Sequence, residues 1–405
     1  MMRVAYLVSR YPAISHAFLA REVHGLRALG IEVETISIRR PRPQELLTEA
    51  DRIEAARTLA ILPPRPLALV AAHLTALARH PWRYLRTLAI AVGGAAPGIR
   101  SRLWAVFYFA EAALVRRHCR RLGIGHLHAA QFADAAADVA MLTAGLEPGW
   151  TWSLTVHGPG EFYEARRYRL AEKVRRAAFT TAVSEFTRSQ LLALAGMERA
   201  ADIHVIRMGV DLERFRSTER PERLPAETRV LSVARLVPHK GHAVLLRALA
   251  RLRDDGLPLR AVIAGEGPER EGLRALADEL GLHGLVDFTG AVSQEELPGL
   301  YAEADVFCLP TLAEAVGVVN MEAMATGLPV VSSRLMGVPE LVEDGYTGLL
   351  VTPGRDGELA AALRRLAEDP DLRRRLGQQG RRKVAAEFDS GREAARLSVL
   401  LEAST

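Results

Sequence analysis

Short apolar, β-prone runs alternate with helical patterns along both halves of this 405-residue chain. Parallel strands need long crossovers, usually helices, so the alternation restricts the chain to parallel-sheet α/β architecture. In the first half the pattern predicts strands over 4–8, 32–37, 126–128, 151–155, 179–183 and 204–206. It restarts at 229–233 and continues through 260–263, 286–289, 306–309, 330–332 and 348–351. The chain is too long for one ordinary core and suits two domains. The boundary falls in Arg216-Ser217-Thr218-Glu219-Arg220-Pro221-Glu222-Arg223-Leu224-Pro225, which is polar and proline-bearing. A first domain over 1–215, a linker over 216–228 and a second domain over 229–387 follow.

Composition excludes several classes. Apolar residues make up 49% and charged residues 25%, as in globular proteins. Cys119 and Cys308 are too few for a disulfide framework or a cysteine metal site. Met1-Met2-Arg3 runs directly into an apolar strand pattern, not a signal peptide, so a cytoplasmic location is expected. The formal charge of +5 invites a nucleic-acid reading. The arginines, however, are scattered among many glutamates, and no nucleic-acid motif accompanies them. Lys173, Lys240 and Lys383 are the only lysines, which sets Lys240 apart in a chain that otherwise uses arginine.

The densest chemistry lies between Pro310 and Val331. Asp305-Val306-Phe307-Cys308-Leu309 reads as a buried parallel strand. Helical spacing starts near Val318, and Gly327-Leu328-Pro329 ends it. Glu314 then sits in a loop at the carboxyl end of a strand, and Glu322, eight positions on, about one turn into the helix. Ligands bind at that edge of an open α/β sheet. The N–H groups of Val316, Gly317 and Val318 point toward the same place, ready for an anion.

This spacing is the Glu-x7-Glu signature of retaining glycosyltransferases with the GT-B fold, and the resemblance to family 4 of these enzymes covers residues 231–353. It is carried by Ser232-Val233-Ala234-Arg235-Leu236-Val237-Pro238-His239-Lys240-Gly241-His242, Ile263-Ala264-Gly265-Glu266-Gly267-Pro268 and Val286-Asp287-Phe288-Thr289-Gly290. The Glu314 block, Gly337-Val338-Pro339-Glu340-Leu341-Val342 and Gly345-Tyr346-Thr347-Gly348-Leu349-Leu350-Val351 complete it in family order. The resemblance implies two Rossmann-like parallel-sheet domains facing a central cleft. It also implies a C-terminal helix, residues 388–405, crossing back to the first domain.

The resemblance further assigns roles. Arg235 and Lys240 would clamp the diphosphate and stabilise it as it leaves. Glu314 would meet the donor hexose, and Glu322 the ribose hydroxyls. Gly265 and Glu266 would border the nucleotide, by backbone approach more than through the glutamate itself, and Val292 would lie near the base. In the first domain, Ser153-Leu154-Thr155-Val156-His157-Gly158-Pro159-Gly160-Glu161-Phe162 resembles the family's strand-His-Gly block, whose histidine lies beside the transferring sugar. Gly160 departs from the acid or threonine of many relatives. Tyr11-Pro12-Ala13-Ile14-Ser15-His16-Ala17-Phe18-Leu19-Ala20-Arg21-Glu22 resembles the opening of exopolysaccharide and colanic-acid-type members, with His16 replacing a frequent acid. Ser15, His16 and Glu161 are therefore the acceptor-side candidates, although Ser15 equally suits a helix N-cap.

The expected function is transfer of a hexose from a nucleotide sugar, UDP-linked in preference to GDP-linked, to a glycan, lipid-linked or small-molecule hydroxyl. The alternatives are a GT-B nucleotide-sugar epimerase and a noncatalytic nucleotide-sugar-binding subunit. No Asp-x-Asp motif stands where a nucleotide-sugar metal would need it, so no metal or other cofactor is expected. His126 and His128 share a strand face without a third ligand. Residues 62–123 are rich in Ala, Leu, Arg and aromatics, yet no apolar run reaches the roughly 18 residues needed to span a bilayer. They read either as ordinary helices covering the first sheet with arginines outward, or as an amphipathic surface resting on a membrane.

Overall fold

The computed structural model describes residues 2–13, 17–46, 48–131, 135–158, 160–216 and 227–404, without the side chains of Ala17, Gln44 and Glu161. Most of the expected linker lies outside these residues. The chain divides into two compact units. One is Met1–Arg207 with Gly391–Thr405, the other Met208–Ser390.

The first unit is built on seven parallel strands: β1 (Arg3–Arg10), β2 (Glu32–Arg39), β3 (Leu59–Leu62), β4 (His126–Ala129), β5 (Thr151–Val156), β6 (Thr180–Ala182) and β7 (Ile203–Val205). Their order is β3-β2-β1-β4-β5-β6-β7. Strand β1 shows why the sheet needs cover on both faces. Ala5 and Leu7 enter one core cluster, while Val4, Tyr6 and Val8 enter another, as the two-residue alternation of a strand requires. Helices α1 (Ala17–Ala28), α2 (Glu49–Arg57), α3 (Pro66–Arg79), α4 (Pro81–Gly93), α5 (Ile99–Leu122), α6 (Ala135–Leu146), α7 (Gly160–Tyr163), α8 (Leu170–Arg176) and α9 (Glu185–Ala195) connect the strands.

The second unit has six parallel strands: β8 (Thr228–Val233), β9 (Leu259–Ala264), β10 (Val286–Gly290), β11 (Val306–Leu309), β12 (Val330–Ser333) and β13 (Gly348–Val351). They lie in the order β10-β9-β8-β11-β12-β13. The inner strands β11 and β12 are buried at every position, which explains their unbroken apolar runs. Edge strand β10 alternates instead, with Asp287 and Thr289 exposed. Its helices are α10 (His242–Asp254), α11 (Arg270–Glu279), α12 (Leu297–Glu303), α13 (Val318–Ala325), α14 (Val338–Leu341), α15 (Asp356–Glu368) and α16 (Pro370–Glu387). A last helix, α17 (Ser390–Glu402), places Leu397 and Leu401 in the first unit's cluster beside Val4, Tyr6 and Val23. The Thr151 hydroxyl donates to the carbonyl of Ser404 at 2.7 Å.

Strand β3 was not expected from the sequence. In the cover over residues 62–123 the arginines Arg79, Arg86, Arg100 and Arg102 do face outward, and large apolar residues face outward with them. On α3 the buried residues are Ala72 and Ala76, while Leu67, Val70, Leu74 and Leu77 face outward.

Candidate nucleotide-sugar site

In the second unit the strand order reverses between β8 and β11, whose neighbours β9 and β12 lie on opposite sides. In open α/β sheets ligands bind at such a reversal, outside the carboxyl ends of the strands. Lys240 stands in the loop after β8 and Glu314 in the loop after β11. The Lys240 ammonium pairs with the Glu314 carboxylate. Their side chains retain only 17% and 15% of their exposure, so the pair is largely sheltered.

Backbone bonds hold the two loops in register. The carbonyl of His239 accepts from the Leu312 N–H at 2.7 Å and from the Thr311 hydroxyl at 2.9 Å. Gly241 closes the first loop at φ +74°, where a Cβ would lie 1.9 Å from the Pro310 carbonyl oxygen. A side chain there would push apart the two segments that carry Lys240 and Glu314. Arg235 is exposed on the same loop. The positive charges of Lys240 and Arg235, after burial, lower the pKa of His239, while Glu314 opposes them. His239 thus reports a cluster of Arg235, Lys240 and Glu314. His242, at the start of α10, is pushed down to about 4, first by burial and then by Lys240.

Glu322 lies on α13 and is 2% exposed. Its Oε2 accepts from the Tyr301 hydroxyl at 3.1 Å. Tyr301, on α12, is fully buried between Phe215 and Phe307. Burying a carboxylate is costly unless a donor meets it, so this hydroxyl anchors one oxygen of Glu322. Gly317 precedes the helix at φ +98°. Val318 and Val319 open the helix, where N–H groups have no helical carbonyl to bond. Val316 is buried.

The loops after β9 and β10 complete the edge. Gly265 adopts φ +152°, and a Cβ there would lie 1.8 Å from the Ala234 carbonyl oxygen. Its N–H donates to Gly290 at 2.8 Å, and the Leu236 N–H donates to Glu266 at 2.9 Å. The Glu266 side chain pairs with Arg270. Val292 is half-buried in the loop after Gly290. The second unit therefore gathers Arg235, Lys240, Gly265, Glu266, Val292, Glu314, Val316, Gly317, Val318 and Glu322 on loops and a helix start at one sheet edge. Tyr301 and Thr311 were not foreseen. A tyrosine in a short amphipathic helix looks like core, and the partner of its hydroxyl lies 21 residues away.

His157 belongs to the first unit. It follows β5, is half-buried, and its ring lies 4.9 Å from that of Phe18 on α1. Ser15, His16 and the Glu161 side chain lie outside the described residues. His126 and His128 are fully buried. Their ring nitrogens bond the hydroxyls of Thr151, Ser153 and Thr155 at 2.7–2.9 Å. Burial pushes them down to about 4 and about 3, so they stay neutral and serve the core. Among the described residues no group of three His, Cys, Asp or Glu side chains could hold a metal. A separate cavity of about 740 Å³ lies at the β3 side of the first unit. Arg40, Arg65, Arg117, His118 and Arg121 line it, and among the described residues no carboxylate does.

Residues 17–214 match the family described as Glycosyltransferase Family 4, and residues 215–383 match Glycosyl transferases group 1. The chain belongs to this group of GT-B glycosyltransferases. It is 37% identical over 237 residues to a GDP-mannose-dependent alpha-(1-6)-phosphatidylinositol monomannoside mannosyltransferase of Mycobacterium tuberculosis, covering 55% of this chain and 60% of that one. A protein assigned to colanic acid biosynthesis as a glycosyltransferase in Salmonella typhimurium is 39% identical over 212 residues, 49% of this chain and 51% of its own. The matches thus span about half to three-fifths of these relatives. The fold of Anabaena HepE, solved with UDP and glucose, superposes with a TM-score of 0.75 at 20% identity, over 99% of this chain and all of that one. A sucrose-phosphate synthase from Thermosynechococcus elongatus gives 0.77 at 21%, over 99% and 98%.

Proposed function

We propose that the chain transfers a hexose from a nucleoside-diphosphate sugar to an acceptor hydroxyl, with retention of anomeric configuration and without a metal. The observation that carries this reading is the Lys240–Glu314 pair at the strand-order reversal, with Glu322 buried behind it on α13. One cation and one carboxylate in contact suit two adjoining ligand parts, a diphosphate and a sugar. A bound donor would part them: Lys240 and Arg235 take the phosphate oxygens, and Glu314 accepts from hexose hydroxyls. Glu322, oriented by the Tyr301 hydroxyl, accepts from ribose hydroxyls. The Val318 and Val319 N–H groups add donors for a phosphate or sugar oxygen.

In the reaction the bond from the anomeric carbon to the phosphate oxygen breaks, and a bond to the acceptor oxygen forms on the same face. The acceptor proton passes to the departing diphosphate. The charge growing on that diphosphate is the largest change in the transition state, and Lys240 and Arg235 answer it without a cation. His157 donates to the hexose. Both UDP-hexoses and GDP-mannose merit testing as donors. The notation of mannosyl transfer in the relatives' names supports the second, and no side chain described near Val292 selects a base.

The test is release of nucleoside diphosphate from UDP- and GDP-hexoses with and without candidate acceptors. Acceptor-dependent release with a retained anomeric centre is expected. Conversion of the donor to another nucleotide sugar without acceptor would replace the proposal with epimerisation, and nucleotide binding without turnover would replace it with a noncatalytic role.

A further inference from the structure

A second surface, in the first unit, is independent of the transferase reading. The fifty-six residues from Ala55 to Ala110 hold seven arginines and no aspartate or glutamate, so all 48 acids of the chain lie elsewhere. This stretch forms α3, α4 and the first half of α5, which pack on one another in the first unit. Eleven of the nineteen strongly exposed large apolar side chains among the described residues fall within it. They recur at helical spacing: Leu67, Val70, Leu74 and Leu77 on α3, Trp82 and Leu85 on α4, and Ile99, Leu103, Trp104, Val106 and Phe107 on α5. Trp82 is 83% exposed and Leu67 86%. Many large exposed apolar side chains on helices that pack on one another mark an interaction site.

The arginines lie among them. Arg79, Arg86, Arg100 and Arg102 are exposed and form no ion pair among the described residues. Arg100 and Arg102 stand near the start of α5, where a helix disfavours cations, so the local helix does not explain them. Arg65, at the head of α3, extends the positive charge into the acid-free cavity at β3.

We propose that the outer face of α3, α4 and the first half of α5 docks on an anionic lipid bilayer. The apolar stripes enter the boundary between headgroups and acyl chains, and the arginines meet the lipid phosphates. Among the described residues no helix is long and apolar enough to cross a membrane, so the face lies on the bilayer. A second copy of this chain, docked through the same patch, would set arginine against arginine. A nucleic acid would leave the leucine and valine stripes without an apolar phase.

The test is co-sedimentation of the full chain with phosphatidylcholine vesicles, with and without about one third phosphatidylglycerol. Binding to the anionic vesicles at least about tenfold stronger than to the neutral ones, and weakened by salt, is expected. Arg79→Glu/Arg86→Glu/Arg102→Glu should lower that binding by at least about tenfold, since each cation near the surface contributes separately. Trp82→Ser/Phe107→Ser should lower binding while leaving the melting temperature near that of the parent, because both positions are exposed. No binding to anionic vesicles would overturn the proposal, as would undiminished binding of both variants. A dimer in solution that Trp82→Ser/Phe107→Ser breaks, with no vesicle binding, would assign the face to a second copy instead.

Discussion

The two units cover their sheets in opposite ways. In the second, helices turn their apolar sides inward, and among its described residues only Leu312 and Tyr346 are strongly exposed large apolar side chains. Its unusual charges sit at strand ends, where Lys240 and Glu314 meet. In the first, α3 buries alanines and shows leucines, and the arginines stand among them. One unit gathers its paired charges at the edge of the sheet, whereas the other spreads exposed apolar and cationic side chains over its covering layer. If both proposals hold, closely similar αβ layering serves two kinds of recognition, decided by where large apolar and charged side chains are placed.

The sharpest break of this comparison is at Lys240. If the second unit's edge holds the diphosphate, Lys240→Ala should lower kcat/KM by about a hundredfold, on the order of 3 kcal/mol of transition-state stabilisation. Its melting temperature should stay close to wild type. Full turnover would remove the site assignment.

The next effect belongs to the first unit. Glu22 is pushed up to about 7 by burial, against an ordinary value of 4.5, and accepts from the Tyr6 hydroxyl. Below pH 4.5 it is protonated in both folded and unfolded chains. Between 4.5 and 7 the unfolded chain releases the proton while the folded one keeps it, so stability falls as pH rises through that window and then levels. Urea unfolding of Glu22→Gln at pH 5 and pH 8 should show this loss abolished, a difference approaching about 3 kcal/mol. An equal pH dependence in both proteins would exclude Glu22 as its source.

Gly265→Ala should destabilise the second unit by at least about 2 kcal/mol, because the new Cβ would collide with the Ala234 carbonyl at an unfavourable φ. Denaturant midpoints measure it, and an unchanged midpoint would mean that the loops after β8 and β9 separate freely. The smallest effect is expected at His157. His157→Ala should reduce turnover about tenfold with little change in nucleotide affinity; equal losses in both would contradict its place beside the sugar.

One corner of the second unit's candidate site was legible in the sequence because that corner is local. Glu314 and Glu322 flank a strand-to-helix junction, and glycines at 241, 265 and 317 mark close approaches or left-handed turns. Tyr301 escaped because its hydroxyl bond crosses between helices. Strand β3 escaped because Leu59-Ala60-Ile61-Leu62 is short, largely half-exposed and cut off by Pro63-Pro64. The α3 stripe shows a deeper limit. Periodicity tells which residues share a face, and only packing tells which face is covered. Rarity was a poor guide too: Lys173 is as unusual in this chain as Lys240, yet it is fully buried against Asp138 at 2.7 Å.

The most direct test of the central claim is thermal stabilisation of the full chain by UDP, GDP, ADP and dTDP, with Glu322→Gln alongside. A nucleotide at about 100 times its dissociation constant should add roughly 2.7 kcal/mol of stability to the wild type. The account predicts a selective shift with UDP or GDP that Glu322→Gln diminishes, since its amide is a poorer acceptor for ribose hydroxyls. No shift with any nucleotide, or the same shift in the variant, would contradict a nucleotide-sugar site built on Lys240, Glu314 and Glu322.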